Sequence, residues 1–162
     1  PFPVVATRRG IERERNGAYR VRLPDDEREI LAALPAQMRH ALESNEPSLY
    51  RLFPPAYHDD PAANEGYHRL VGESLVEGRL AALAELERSA GADRLTQAEL
   101  EAWLGAIESV RLALGTQLDV REDSASSTIG RDHPEAPRYA LYAYLSWLQE
   151  EIVAALSAGL SA

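Results

Sequence analysis

The chain has 162 residues, no cysteine and a formal net charge of −9. Disulfides, thiolate metal sites and cysteine nucleophiles are excluded, and the acidic balance opposes long-range attraction to nucleic acid or anionic lipid. No apolar run approaches the roughly 20 residues of a membrane span and no basic-then-apolar leader opens the sequence, so a cytoplasmic protein of one domain, 1–162, is expected.

Charge divides the chain unevenly. Residues 1–23 hold six Arg and two Glu, whereas residues 24–162 hold eleven Arg and 24 acids, a basic arm on an acidic body. Within the arm, residues 4–23 carry β-branched side chains around Asn16-Gly17, which predicts a hairpin. A two-residue turn would set Arg13 opposite Arg20 and Ile11 opposite Arg22. A three-residue loop of Arg15, Asn16 and Gly17, with Gly17 left-handed, sets Glu12 opposite Arg20 and Ile11 opposite Val21, and is preferred. It gathers Ile11, Tyr19, Val21 and Leu23 on one face and leaves Glu12, Glu14, Arg20 and Arg22 in water. An isolated hairpin is marginal, so this one is expected to dock on the helices.

Pro24 and the acids Asp25, Asp26 and Glu27 mark a helix start, and Ile30, Leu31, Leu34, Met38 and Leu42 keep helical phase to about Ser44. Pro35 lacks an amide donor and predicts a kink or short break near Leu34. Residues 45–60 form an apolar linking segment with Leu49, Tyr50, Leu52, Phe53 and Tyr57. Asp60-Pro61 fits the start of a short helix to about Leu70, which Gly72 separates from a longer one over roughly 73–89, with Leu75, Val76, Leu80, Leu83 and Leu86 inward. Gly91 closes that helix. Thr96 to Glu99 reads as a capping box for the next, with Leu100, Trp103, Leu104, Ile107, Val110 and Leu114 as its stripe and Gly115 as its stop. Residues 121–133 are small and polar and are expected to be mobile. In the last helix, from Pro134, residues Leu141, Leu145, Leu148, Ile152 and Leu156 form one stripe, widened by Tyr144, Trp147 and Val153. That breadth predicts a central helix with a frayed LSAGLSA tail. The fold class is mainly α: a bundle of about five helices with the hairpin docked on it.

The phrases RLFPPAYHDDPAANEGYHRL at 51–70, VRLALGTQLDV at 110–120 and YLSWLQEEIVAAL at 144–156 stand behind an Arg-rich hairpin and EREILAALPAQM at 27–38. Together they resemble an actinobacterial domain of unknown function, DUF2017, over nearly the whole chain. The resemblance implies a small cytosolic protein among regulators of transcription in the oxidative-stress response, with relatives that use a cysteine switch and contact a sigma factor or promoter. This chain departs from that picture: without cysteine it has no thiol switch, and Met38 is a poor substitute sensor.

Three features are candidates for function. Arg8, Arg9, Arg13, Arg15, Arg20 and Arg22 can contact phosphates along a nucleic-acid groove, or else pair with the acidic body and lay their stems over apolar side chains. Arg79 and Arg111 interrupt inward stripes, as an anion pocket or as internal ion pairs with Asp60, Glu108 or Glu150. His58, Asp59, Asp60 and His68, or Asp132 and His133, lack a metal-ligand spacing, and capping explains the acids. No nucleophile elbow, phosphate loop or acid–base set is present, so neither catalysis nor a cofactor is expected. The favoured reading is a non-enzymatic regulatory interaction protein of transcription or stress response, using the hairpin and the segment around Phe53 and Tyr57 on a protein partner such as a sigma factor. A direct DNA-binding regulator using Arg8, Arg9, Arg13, Arg20 and Arg22 is the alternative, and an anion- or small-molecule-binding module is third. A homodimer through an apolar helix patch has no heptad seam to support it.

Overall fold

A computed structural model describes residues 8–44, 49, 65–118 and 132–160. In chain order the elements are β1 (Gly10–Arg13), β2 (Tyr19–Arg22), α1 (Asp25–Glu43), α2 (Glu65–Ser89), β3 (Arg94–Leu95), α3 (Gln97–Gln117) and α4 (Ala136–Leu160). The fold is mainly helical, with a three-stranded antiparallel sheet in the order β1-β2-β3. Four helices stand among the described residues, where about five were expected.

The hairpin has the expected register, Ile11 opposite Val21 and Glu12 opposite Arg20. Its loop closes through Glu14 N–H to Ala18 O and Gly17 N–H to Glu14 O, and Gly17 takes the left-handed φ of 87° that this loop demands of one residue. Ile11, Tyr19, Val21 and Leu23 are buried, which docks the ribbon on the helices. On the other face Glu12 stays exposed, while Arg22 and Glu14 are only half-exposed. The two-residue β3, which the sequence reading lacked, pairs Leu95 with Tyr19 and Arg94 with Arg20.

The central helix is α3, not α4. Trp103, Ala106, Ile107, Leu100 and Ser109 are wholly buried, and α3 packs against α1, α2, α4 and β3. Its N-terminus carries the expected capping box: Thr96 Oγ1 accepts from Glu99 N–H, and the Glu99 carboxylate accepts from Thr96 N–H. The Trp103 indole donates to Ser89 Oγ at 2.7 Å, and Ser89 in turn donates to Glu85 O, so the polar atoms of these two buried side chains are satisfied. By contrast α4 packs on α3 and β1, and Val153, expected inward, is exposed.

Four expected breaks are absent, and packing explains three of them. α1 is continuous through Pro35, whose ring is buried with Leu31, Leu34 and Met38, so apolar burial offsets the lost amide bond. α2 runs unbroken through Gly72. α3 passes Gly115 to end at Gln117, and a Cβ at Gly115 would stand 3.2 Å from Tyr142 Cε2, so this glycine serves close approach of α4. α4 continues to Leu160 because Gly159 lies beneath Tyr19 and Arg13 of the hairpin. Ile30 and Leu75, expected inward, are exposed.

Candidate functional site: the arginines of the hairpin

Each arginine of the arm is best followed to its partners. Arg9 is held on three sides: Nη2 and Nε meet the two Glu27 oxygens at 2.5 and 3.2 Å, and the guanidinium lies 4.1 Å over the Trp147 ring and 5.6 Å from the Tyr144 centroid. Tyr144 OH donates to the same carboxylate at 3.1 Å. The bond to Glu27 raises the Arg9 pKa, and burial, with the Glu27 charge beside it, pushes the Tyr144 phenol up. Charge-assisted bidentate pairing and cation–π contact make Arg9 a clamp that ties the arm to α1 and α4.

Arg8, Arg13 and Arg22 behave differently. With Arg9, Glu12 and Glu151 they surround an open groove of about 440 Å³ between β1 and the C-terminal half of α4, floored by Ile11 and by Ala155 with its alanine neighbours 154 and 158. Arg8 is 85% exposed and touches Glu151 through a single 3.2 Å contact. Arg22 pairs with Glu12 across the ladder. Gly10 has φ 142°, a backbone conformation that favours glycine, and a Cβ there would stand 2.5 Å from Oε2 at the flexible end of Glu151. Arg15 is exposed in the loop, and Arg20 faces outward between Glu12 and Arg94. The structure thus gathers Arg8, Arg9, Arg13 and Arg22 at one groove and leaves Arg20 outside it.

Sequence reasoning missed the most deeply engaged arginine. Arg28, 12% exposed, donates to the carbonyls of Leu23 (3.0 Å), Val21 (3.0 Å), Ala92 (2.7 Å) and Ala90 (3.5 Å), with Asp93 at 3.3 Å. One side chain on the first turn of α1 therefore ties down β2 and the α2–β3 connection. Its only sequence signal is a charged residue one turn after a helix start.

Arg79 and Arg111 do not share a pocket. Arg79 Nη1 donates to Ser109 Oγ at 3.2 Å from α2, whereas Arg111 Nε donates to Ser146 Oγ at 2.7 Å on α4 and lies 5.0 Å over the Tyr142 ring. Ser109 and Arg111 are two residues apart on α3, so these contacts leave it on nearly opposite sides. Arg79 Nε is buried without a hydrogen-bond partner among the described residues. Among the described residues the contacts of both are to serine hydroxyls, and neither pairs with Glu108 or Glu150; Asp60 lies outside the described residues. Phe53 and Tyr57, and the set His58, Asp59, Asp60 and His68, lie outside the residues described in side-chain detail. His133 Nδ1 accepts from Glu135 N–H at the turn before α4, a capping role. Among the described residues no group of three or more His, Asp or Glu is placed to hold a metal, and no helix is long and apolar enough to cross a membrane.

Fold and site define a small helical protein whose N-terminal ribbon is clamped to an acidic body and presents an arginine-edged groove. The chain belongs to the DUF2017 family, the domain of unknown function whose family model matches residues 8–156. A Mycobacterium leprae protein named "Putative oxidative stress regulator AosR" is 32% identical over 152 residues, covering 83% of this chain and 69% of the relative. Proteins of Mycobacterium bovis and Mycobacterium tuberculosis named "Oxidative stress regulator AosR" are 29% identical over 150 residues, covering 82% of this chain and 67% of each relative. No solved structure matches the chain.

Proposed function

We propose that this chain is a non-enzymatic regulator of the oxidative-stress response that acts by contact with another protein through the face formed by its hairpin. The names of its relatives support the stress-response part. The observation that carries the mechanism is where the arm spends its charge. Arg9 is bound bidentately to Glu27 and stacked on Trp147, which withdraws it from phosphate contact, while among the described residues Arg8 and Arg22 keep only single, exchangeable pairs. A ribbon that reads DNA needs several guanidinium groups free for phosphates, because affinity and its salt dependence scale with the number neutralised. Here the best-placed guanidinium is taken up by Glu27, and the net charge of −9 opposes a polyanion at long range. Lacking cysteine, the chain responds to oxidation through its partner or its abundance and not through a thiol of its own.

The test is cross-linking of the tagged chain in peroxide-treated cells of its host, with and without nuclease, beside anisotropy of labelled duplex DNA from about 50 to 200 mM salt. A defined protein partner that survives nuclease, with no duplex binding at the lowest salt, is the expected result. Salt-sensitive duplex binding lost when Arg8, Arg9, Arg13, Arg20 and Arg22 are changed to Ser would instead establish the DNA-binding alternative.

A further inference from the structure

The hydrogen-bond pattern of the sheet fixes where each amide of β1 points. Val21 N–H donates to Asp93 O at 2.8 Å, on the β3 side of β2. Backbone groups alternate along a strand, so Tyr19 and Val21 serve β3, while Arg20 and Arg22 turn toward β1. Their register partners are Glu12 and Gly10, and Glu14 N–H to Ala18 O continues the same series. Ile11 and Arg13 therefore direct both N–H and C=O away from β2, toward the outer edge of the ribbon. That edge is one wall of the groove, and the alanine face of α4 is the other.

A strand edge beside a helix is an arrangement that takes an added strand from an extended peptide, with backbone bonds for affinity and side-chain sites for specificity. Open edges in natural sheets are covered, twisted or charged. This one is edged, once Arg9 is set aside with Glu27, by Arg8, Arg13 and Arg22 against Glu12 and Glu151, a small excess of positive charge.

We propose that the groove between β1 and α4 binds an extended acidic segment of a partner protein, which adds a strand beside β1 and sets carboxylates against Arg8, Arg13 and Arg22. The proposal rests on the protein-contact reading above and names the chemistry of the partner. β1 spans about 13 Å, enough for about four residues of an added strand, with Ile11 and Arg13 each offering one donor and one acceptor. Charge selects the occupant. A second copy's β1 would bring its own arginines to the same groove and, with Ile11 paired to Arg13, set Glu12 against Glu12, whereas an acidic strand offsets the groove's excess positive charge. Nucleic acid fits the edge poorly, because phosphate oxygens only accept and would leave the carbonyls of Ile11 and Arg13 facing other acceptors. The pair of the highly exposed Arg8 with Glu151 is of the weak surface kind, so Arg8 can exchange Glu151 for an incoming carboxylate at little cost. Arg9, bound to Glu27 and stacked on Trp147, holds the wall in place and takes no part in recognition.

The probe is a short fluorescein-labelled peptide alternating Val or Thr with Asp or Glu, measured by anisotropy with the full chain at about 50 and about 200 mM salt. Three controls accompany it: the same peptide with Lys for each acid, the acidic peptide N-methylated at alternate residues, and the Arg8→Glu, Arg13→Glu variant of the protein. Arg8→Glu alone is carried in parallel, since so exposed a side chain does not govern folding. Expected are saturable binding of the acidic peptide, about tenfold weakening at the higher salt, about tenfold or greater loss with each control, and new amide protection at Ile11 and Arg13. Absence of binding at the lower salt overturns the proposal, as does equal binding of the N-methylated peptide. Concentration-dependent dimerisation that protects Ile11 and Arg13 without peptide would assign the edge to a second copy and overturn it too. If cross-linked partners persist undiminished in the Arg8→Glu, Arg13→Glu variant, this proposal fails while the protein-contact reading stands.

Discussion

The two long edges of the hairpin have been treated in opposite ways. On the β2 side, β3 adds a strand, Val21 N–H finds Asp93 O, and Arg28 reaches under the seam to collect the carbonyls of Val21, Leu23 and Ala92. On the β1 side the amides of Ile11 and Arg13 face a groove, and of the arginines around it Arg9 is fixed by Glu27 while Arg8 has a partner that is easily exchanged. Buried backbone polar groups are costly when unmatched, which explains the sealing of the first edge. The same cost makes an edge left open a place where a partner's backbone can be received.

The largest expected effect comes from opening the sealed edge. Arg28→Ala strands several carbonyls and empties a nearly buried site, so a loss of about 3 kcal/mol is expected in urea unfolding, with the amides of β2 losing protection first. Arg28→Lys, with one compact donor group in place of a planar fork, is expected to recover less than half of that. On the open side, Gly10→Ala forces a side chain into positive φ and toward Glu151, and about 1 to 3 kcal/mol is expected by the same measurement. Thr96→Ala removes the cap that fixes the start of α3 directly after β3, at about 1 kcal/mol.

A smaller, pH-dependent effect sits at that cap. The Thr96 N–H and the Arg88 guanidinium hold the Glu99 carboxyl below the usual carboxylate range. A depressed folded-state value means that its stabilisation is complete above the unfolded value near about 4.3 and is lost as pH falls through the folded value. The gap in Tm between the wild type and Glu99→Gln is therefore expected to close as pH falls through the acid range. Least of all, Arg8→Ala is expected to change stability by less than about 0.5 kcal/mol, because its one ion pair is exposed. A larger loss would show that Arg8 holds the fold and is not free to meet a partner.

What the sequence made legible was local chemistry. The loop of Arg15, Asn16 and Gly17 fixed the register of the hairpin, and Thr96 with Glu99 announced α3, because turn and cap geometry depend on a few neighbouring residues. Breakers read alone misled: Pro35, Gly72 and Gly115 all lie inside continuous helices, and at Pro35 burial beside Leu31, Leu34 and Met38 outweighs a local cost of a few kcal/mol. β3 is only two residues long and has no periodicity to detect. Arg28 was invisible because its acceptors are backbone carbonyls of residues up to 64 positions away, which no residue type records. Arg79 and Arg111 were rightly singled out as charges within apolar stripes, but only the packing of α2 and α4 on either side of α3 shows that they act apart. The groove needed the fold as well, since β1 and the end of α4 are about as far apart in sequence as the chain allows.

The most direct test of the account is residue-resolved amide hydrogen exchange along β1 in the free protein. Alternation is expected: rapid exchange at Ile11 and Arg13, which face the groove, and slow exchange at Glu12, which bonds to β2, with Tyr19 and Val21 as slow as Glu12. Uniform protection from Ile11 to Arg13 would mean that the outer edge is already covered within the chain, and would contradict the claim that it is held open for a partner.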